Sequence, residues 1–172
     1  MKRALIIHGW ESNPTEHWYQ QEKQLLEQKS YSVSIPDMPN SFHPIKDEWV
    51  QVITDFAPDE ESVLIGHSLG PSTIFRYLEK SGQKVDKVIS IAGFVRDLGF
   101  EETSNFVKEP FDWEKIRTLV NKFVVIAQKN DPYIAVEVAK EVSDKTGGDW
   151  ILIDGNNHFD TMDLDLINQE LV

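Results

Sequence analysis

The sequence predicts an α/β fold: a mainly parallel sheet of about six strands with helices on both faces, in a single domain spanning residues 1–172. Short apolar runs alternate with longer segments of helical period, which is the arrangement of successive βαβ units. Each run holds β-branched or large apolar residues, which fits the strands of a parallel sheet covered on both faces. A length of 172 residues suffices for one full core and is short for two.

Ala4–Ile7 reads as the first strand. Asn13-Pro14-Thr15-Glu16 then gives a helix start, with Asn13 as cap, Pro14 in the first turn and Glu16 closing a capping box. Trp18, Glu22, Leu25 and Leu26 form that helix's stripe. Tyr31–Ile35 is the second strand, and Pro44–Phe56 a helix. Ser62–Ile65 is the third strand, and Leu69–Lys80 follows with a stripe of Ile74, Phe75 and Leu78. Lys87–Ala92 is the fourth. Gly93–Phe111 breaks the alternation, and its Phe94, Phe100, Phe106 and Phe111 suggest an excursion over the top of the sheet, as a lid or as a packed loop. Helix Asp112–Val120, strand Phe123–Ala127, helix Tyr133–Asp144, strand Trp150–Ile153 and helix His158–Leu171 complete the order.

Composition bounds the function. Hydrophobic residues at 40% and charged residues at 27% are ordinary for a soluble globular chain. A net charge of −12 repels phosphate backbones and anionic lipids, so nucleic-acid and membrane partners are not expected and strongly anionic substrates are disfavoured. No apolar run approaches membrane-spanning length, and the apolar stretch at Ala4–Ile7 is too short for a signal-peptide core. Without cysteine there is no disulfide framework, thiolate metal site or cysteine nucleophile, and a cytoplasmic location is the expectation. His8, His17 and nearby acids lack metal-ligand spacing, so neither a metal nor a cofactor is expected.

Val63–Phe75 reads VLIGHSLGPSTIF: an apolar strand, a glycine-flanked serine, then a helical stripe. This G-x-S-x-G in a strand–turn–helix setting is a nucleophile elbow, in which a sharp turn pushes Ser68 out of the sheet within reach of a base and a substrate. Gly66 and Gly70 keep side chains out of the tight turn. The amide of Leu69, at the helix start, points where an oxyanion would form. Pro71 is tolerable in the first helical turn, where its missing N–H has no partner.

A serine nucleophile needs a base, and the base needs an orienting carboxylate. The five histidines are His8, His17, His43, His67 and His158. His17 and His43 read as surface or loop residues, and His67 adjoins Ser68 with its side chain pointing elsewhere. The order nucleophile, acid, histidine selects His158, which alone follows Ser68; His8, at the end of the first strand, is the runner-up. Asp131 follows the Phe123–Ala127 strand in NDPY and doubles as a helix cap, and Asp97 is the alternative acid. His8-Gly9-Trp10, Ser68, Asp131 and His158 each lie just past the carboxyl end of a different strand, where open α/β sheets bind ligands. The loop after the first strand should supply a second oxyanion amide, that of Trp10. His8, Gly9, Phe94, Phe106 and Tyr133 are the candidate substrate-pocket residues.

HGW…HW near the start, DMP, GHSLG, RDLG, FDWEKI, NDPY and NHF occur in this order and spacing over nearly the whole chain. In these motifs the chain resembles the small serine hydrolases of the YdeN and retinoblastoma-binding protein 9 type. The resemblance implies a compact α/β-hydrolase fold lacking the first strands of the full fold, and a triad of Ser68, Asp131 and His158. Pro71 stands where the family has a small residue, and the partner-binding motif of the animal member, which needs cysteine, does not carry over.

The resulting expectation is a carboxylesterase-like serine hydrolase acting on a small-molecule acyl substrate, an ester or activated amide, through an acyl-enzyme on Ser68. The alternative is a binding module on a hydrolase scaffold with little physiological catalysis.

Overall fold

The computed structural model describes residues 2–171. Strands β1 (Arg3–Ile7), β2 (Ser32–Ser34), β3 (Val63–His67), β4 (Val85–Ile91), β5 (Val120–Gln128) and β6 (Asp149–Ile153) form one sheet of order β2-β1-β3-β4-β5-β6. Every pairing is parallel. Ala4–Ile7 and Val63–Ile65 are fully buried, which explains their unbroken apolar character: helices cover both faces of the inner strands.

The helices are α1 (Tyr19–Gln28), α2 (Lys46–Phe56), α3 (Leu69–Ser81), α4 (Glu101–Val107), α5 (Trp113–Thr118), α6 (Val136–Thr146) and α7 (Asp165–Asn168), with a closing 3₁₀ turn at Gln169–Leu171. α2 packs on α3, α3 on α4 and α5, and α5 on α6, forming a continuous layer. Right-handed crossovers put α1 on the opposite face, because the chain steps outward from β1 to β2 and then reverses through β3. That reversal leaves a crevice between the carboxyl ends of β1 and β3.

Three expectations change. Asn13 does not cap a helix: its Oδ1 accepts from the Thr15 amide at 2.9 Å and the Thr15 hydroxyl at 2.7 Å. That local turn delays α1 to Tyr19 and leaves Glu16 outside it. The expected helix His158–Leu171 shrinks to Asp165–Asn168 and the 3₁₀ turn, because His158 and Phe159 have φ of 51° and 57°, outside any right-handed helix. The excursion contains a helix, α4, and is fastened to α3. The guanidinium of Arg76 donates to the carbonyls of Phe106 (2.7 Å), Glu109 and Pro110, pairs with Glu79 (2.6 Å), and lies 3.6 Å from the centre of the Phe111 ring.

On the opposite face, α1 meets α7 through a buried polar pair. Asn168 Nδ2 donates to Glu22 Oε2 at 3.2 Å, while Glu22 Oε1 and Asn168 Oδ1 are both buried without a partner among the described residues. Burial pushes the Glu22 carboxyl up to about 7, against the opposing pull of Asn168 and of the Lys29 charge. The neutral acid supplies a donor to a pair that otherwise holds two orphaned acceptors. Because the folded value is raised, the stabilisation is complete below the ordinary value of 4.5 and is lost as pH rises through about 7. Glu22→Gln, which carries that donor at every pH, is expected to raise the melting temperature at pH 8 by roughly 4 °C. The gain should vanish at pH 5; an equal gain at both pH values in a thermal scan would contradict this account.

Candidate active site

The turn between β3 and α3 carries Ser68 at φ 57° and ψ −104°, a left-handed backbone that costs a non-glycine residue about 1–3 kcal/mol. The flanking glycines are required by contact. A Cβ on Gly66 would lie 2.5 Å from the Pro71 nitrogen, and one on Gly70 would lie 2.5 Å from the carbonyl oxygen of Ile7 on β1. Pro71 is accommodated because Gly93 faces it: a Cβ there would sit 2.9 Å from the proline ring. The Ser68 amide donates to Ile91 O on β4 at 2.9 Å, holding the turn from the other side.

The loop after β1 packs directly on the serine. A Cβ on Gly9 would lie 3.0 Å from Ser68 Cβ and 3.5 Å from its Oγ. Among the described residues, no protein acceptor takes the amide hydrogen of Leu69 or of Trp10. Trp10 is held by its indole Nε1, which donates to Phe42 O at 3.1 Å.

His158 lies in the irregular segment after β6. Its Nδ1–H donates to the Asp131 carboxylate, 2.8 Å from one oxygen and 2.9 Å from the other. Asp131 Oδ1 also accepts from the amides of Tyr133 and Ile134, at 2.9 Å each, so the carboxylate caps the turn before α6 and orients the imidazole together. With Nδ1 protonated, Nε2 is left with its lone pair. No hydrogen bond joins Nε2 to Ser68 Oγ among the described residues, although both residues border one cavity. Contacts of this kind commonly close only when substrate arrives.

The remaining candidates separate on geometry. Asp97, the alternative acid, turns its carboxylate to the Gly99 amide at 2.8 Å. His8, the runner-up base, is fully buried with both nitrogens engaged: Nδ1–H donates to Gly9 O at 2.8 Å and Nε2 accepts from the Met38 amide at 3.0 Å. Burial lowers its basicity further. His8 therefore braces the Gly9–Trp10 loop from behind.

The cavity above Ser68 has a volume of about 440 Å³. Trp10, Phe94, Leu98, Phe100, Tyr133 and Ile134 give it an apolar wall, and Glu11, Glu16, His17 and Asp160 give it an acidic edge. Of the expected pocket residues, Phe94 and Tyr133 line it, whereas His8, Gly9 and Phe106 do not. Phe106 is fully buried with its ring 5.6 Å from that of Trp49, because the Arg76 clamp pulls α4 down onto α2 and α3. The acidic edge went unread in the sequence. Glu16 and His17 lie before α1 rather than within it, and His17 holds Asp160 at 3.3 Å beside the cavity. Among the described residues no three His, Asp or Glu side chains converge as metal ligands do, and no helix is long and apolar enough to cross a membrane.

Comparison with known proteins bears on the family and the fold. The serine hydrolase family model matches residues 4–163. YdeN of Bacillus subtilis is 26% identical over 163 residues, covering 92% of this chain and 86% of YdeN. The rat serine hydrolase RBBP9 is 26% identical over 163 residues, covering 91% of this chain and 87% of the relative. The crystal structure of the B. subtilis ydeN gene product superimposes with a TM-score of 0.94 at 25% identity, over 99% of this chain and 97% of that one. Est1E of Butyrivibrio proteoclasticus, solved with ferulic acid bound, shares the fold at a TM-score of 0.78 and 13% identity, over 99% of this chain and 86% of its own. With an α/β-hydrolase fold and a family match running almost end to end, the chain belongs to the serine hydrolase family.

Proposed function

We propose that the protein cleaves carboxylic esters, or activated amides, through an acyl-enzyme on Ser68, with His158 as base and Asp131 as its orienting acid. The observation that carries this reading is the Asp131–His158 pair, whose one uncommitted nitrogen shares a cavity with a serine on a strained turn. His158 Nε2 takes the Ser68 proton as Oγ forms its bond to the carbonyl carbon. The carbonyl oxygen then carries the negative charge, and the amide hydrogens of Leu69 and Trp10 stabilise it. The imidazolium returns the proton to the departing alcohol or amine as the C–O or C–N bond breaks. Water, deprotonated by the same nitrogen, releases the acid and restores Ser68.

The cavity adds a class of substrate. Phe94, Leu98, Phe100 and Tyr133 suit a short acyl or aryl group, while Glu11, Glu16 and Asp160 repel anions. Neutral and cationic esters are therefore the expected substrates, and carboxylate-bearing ones are expected to be poor.

A fluorophosphonate probe is expected to label Ser68. Ser68→Ala should abolish labelling and lower p-nitrophenyl acetate turnover by about 1,000-fold or more. Undiminished labelling of the variant would refute the assignment. For charge selection, kcat/KM for a p-nitrophenyl ester with a terminal carboxylate should fall below that of its neutral methyl ester. Raising the salt concentration should narrow the gap by screening the acidic edge. Equal values at low salt would remove that edge from the account.

A further inference from the structure

His67 occupies the variable position inside G-x-S-x-G and takes no part in the acyl chemistry above. It is buried, and both ring nitrogens are engaged. Nε2 lies 2.9 Å from the carbonyl oxygen of His158, an atom that can only accept, so Nε2 carries the proton. Nδ1 is then the acceptor, and it takes the hydroxyl hydrogen of Tyr19 at 2.7 Å.

We propose that His67 is a positioning residue for catalysis: its Nε2–H···O=C bond ties the strained backbone of His158 to the nucleophile turn, and Tyr19 fixes the tautomer that makes this bond. The proposal rests on the reading of Ser68 as nucleophile and His158 as base.

The need for such a tie follows from the backbone. His158 and Phe159 are consecutive non-glycine residues at φ 51° and 57°, a conformation that persists only where the surroundings hold it. Most of the hydrogen bonds to this segment come from the β5–β6 side. Gln128 Oε1 accepts from the Asn157 amide at 3.2 Å, Gln128 Nε2 donates to Asn157 Oδ1 at 2.8 Å, and Asp131 takes the imidazole. Ser68, however, stands on the β3–α3 turn. His67 immediately precedes it, so the 2.9 Å bond spans the gap between nucleophile and base through a single side chain. Errors of about 1 Å in such a gap cost on the order of 100-fold in rate.

Electrostatics supports the same role. The His67 and His158 rings lie 4.9 Å apart, so a charged His67 would oppose the proton that His158 must accept. Burial, and beyond it the nearby His158, His17 and His8, hold the His67 imidazole well below the ordinary histidine range, so it stays neutral. Tyr19, Trp18 and His17 enclose it, with ring centres 5.9, 6.2 and 5.5 Å away.

The test compares His67→Leu, His67→Gln and Tyr19→Phe by kcat and KM on p-nitrophenyl acetate, by melting temperature, and by imidazole NMR of histidine-labelled protein. His67→Leu should lower kcat about 100-fold with KM little changed, and should shift or broaden the downfield Nδ1 proton that His158 shares with Asp131. His67→Gln keeps a neutral donor near the Nε2 position and should restore most of kcat and the proton signal. Tyr19→Phe frees the tautomer and should cost on the order of tenfold. A folded His67→Leu protein with wild-type kcat and an unshifted His158 signal would overturn the proposal. If His67→Leu fails to fold, the same two readouts on Tyr19→Phe decide it. If wild-type turnover does not depend on Ser68, the functional reading fails, and the NMR signal alone decides the positioning role.

Discussion

The architecture converges on one close approach, that of the β3–α3 turn to the end of β1. Gly70 sits against the carbonyl of Ile7 with no room for a methyl group, and Gly9 packs on Ser68, where a Cβ would lie 3.0 Å from the serine Cβ. This contact needs β1 and β3 as parallel neighbours, and the strand order supplies them by reversing at that point. It also needs strands stiff enough to hold a serine at positive φ. Ala4–Ile7 and Val63–Ile65 are buried throughout, and the Ser68 amide is tied across to β4. The strain at the turn is offset by a core that would have to open before the turn could relax.

The histidines around this turn share a residue type and differ in what each nitrogen has left to do. His8 uses one nitrogen on Gly9 and the other on Met38; His67 uses one on Tyr19 and the other on the carbonyl of His158. Both are buried and held neutral. His158 commits Nδ1 to Asp131 and keeps Nε2 uncommitted among the described residues. Proximity to the serine therefore does not single out the base, since His67 is its chain neighbour. What distinguishes His158 is its unspent lone pair, in a residue that borders the cavity.

Legibility in the sequence followed the strength of the local signal. The inner strands were visible because strands buried on both faces carry apolar residues at successive positions, and the elbow was visible because only glycine fits beside it. Asp131 is preferred to Asp97 on loop position alone, because NDPY reads equally well as a simple helix cap, and the carboxylate performs that capping too. Where tertiary contacts overrode local propensity, the reading missed. The periodicity of 158–171 pointed to a helix, yet the hydrogen bonds of Asp131, His67 and Gln128 hold its first residues in another conformation. The acidic edge of the cavity left no periodic trace because Glu11, Glu16 and Asp160 lie in turns that only the fold brings together.

Arg76 shows how the pocket is coupled to the chemistry. It belongs to α3, the helix that begins immediately after Ser68, and its guanidinium holds three carbonyls of the segment that follows Gly93. One helix thus presents the Ser68 turn at its amino end and anchors the apolar wall two turns later. Phe94 is fixed in the same way, since its carbonyl accepts from the Ser72 hydroxyl on α3. A wall anchored at these points keeps its distance from Ser68, so the size of group it admits is set by the side chains of Phe94, Leu98 and Phe100. Tyr133, largely exposed at the cavity mouth and next to His158, belongs instead to the β5–α6 loop. The two sides of the pocket therefore stand on different parts of the scaffold, one fastened to the helix that follows Ser68 and the other to the loop that carries Asp131.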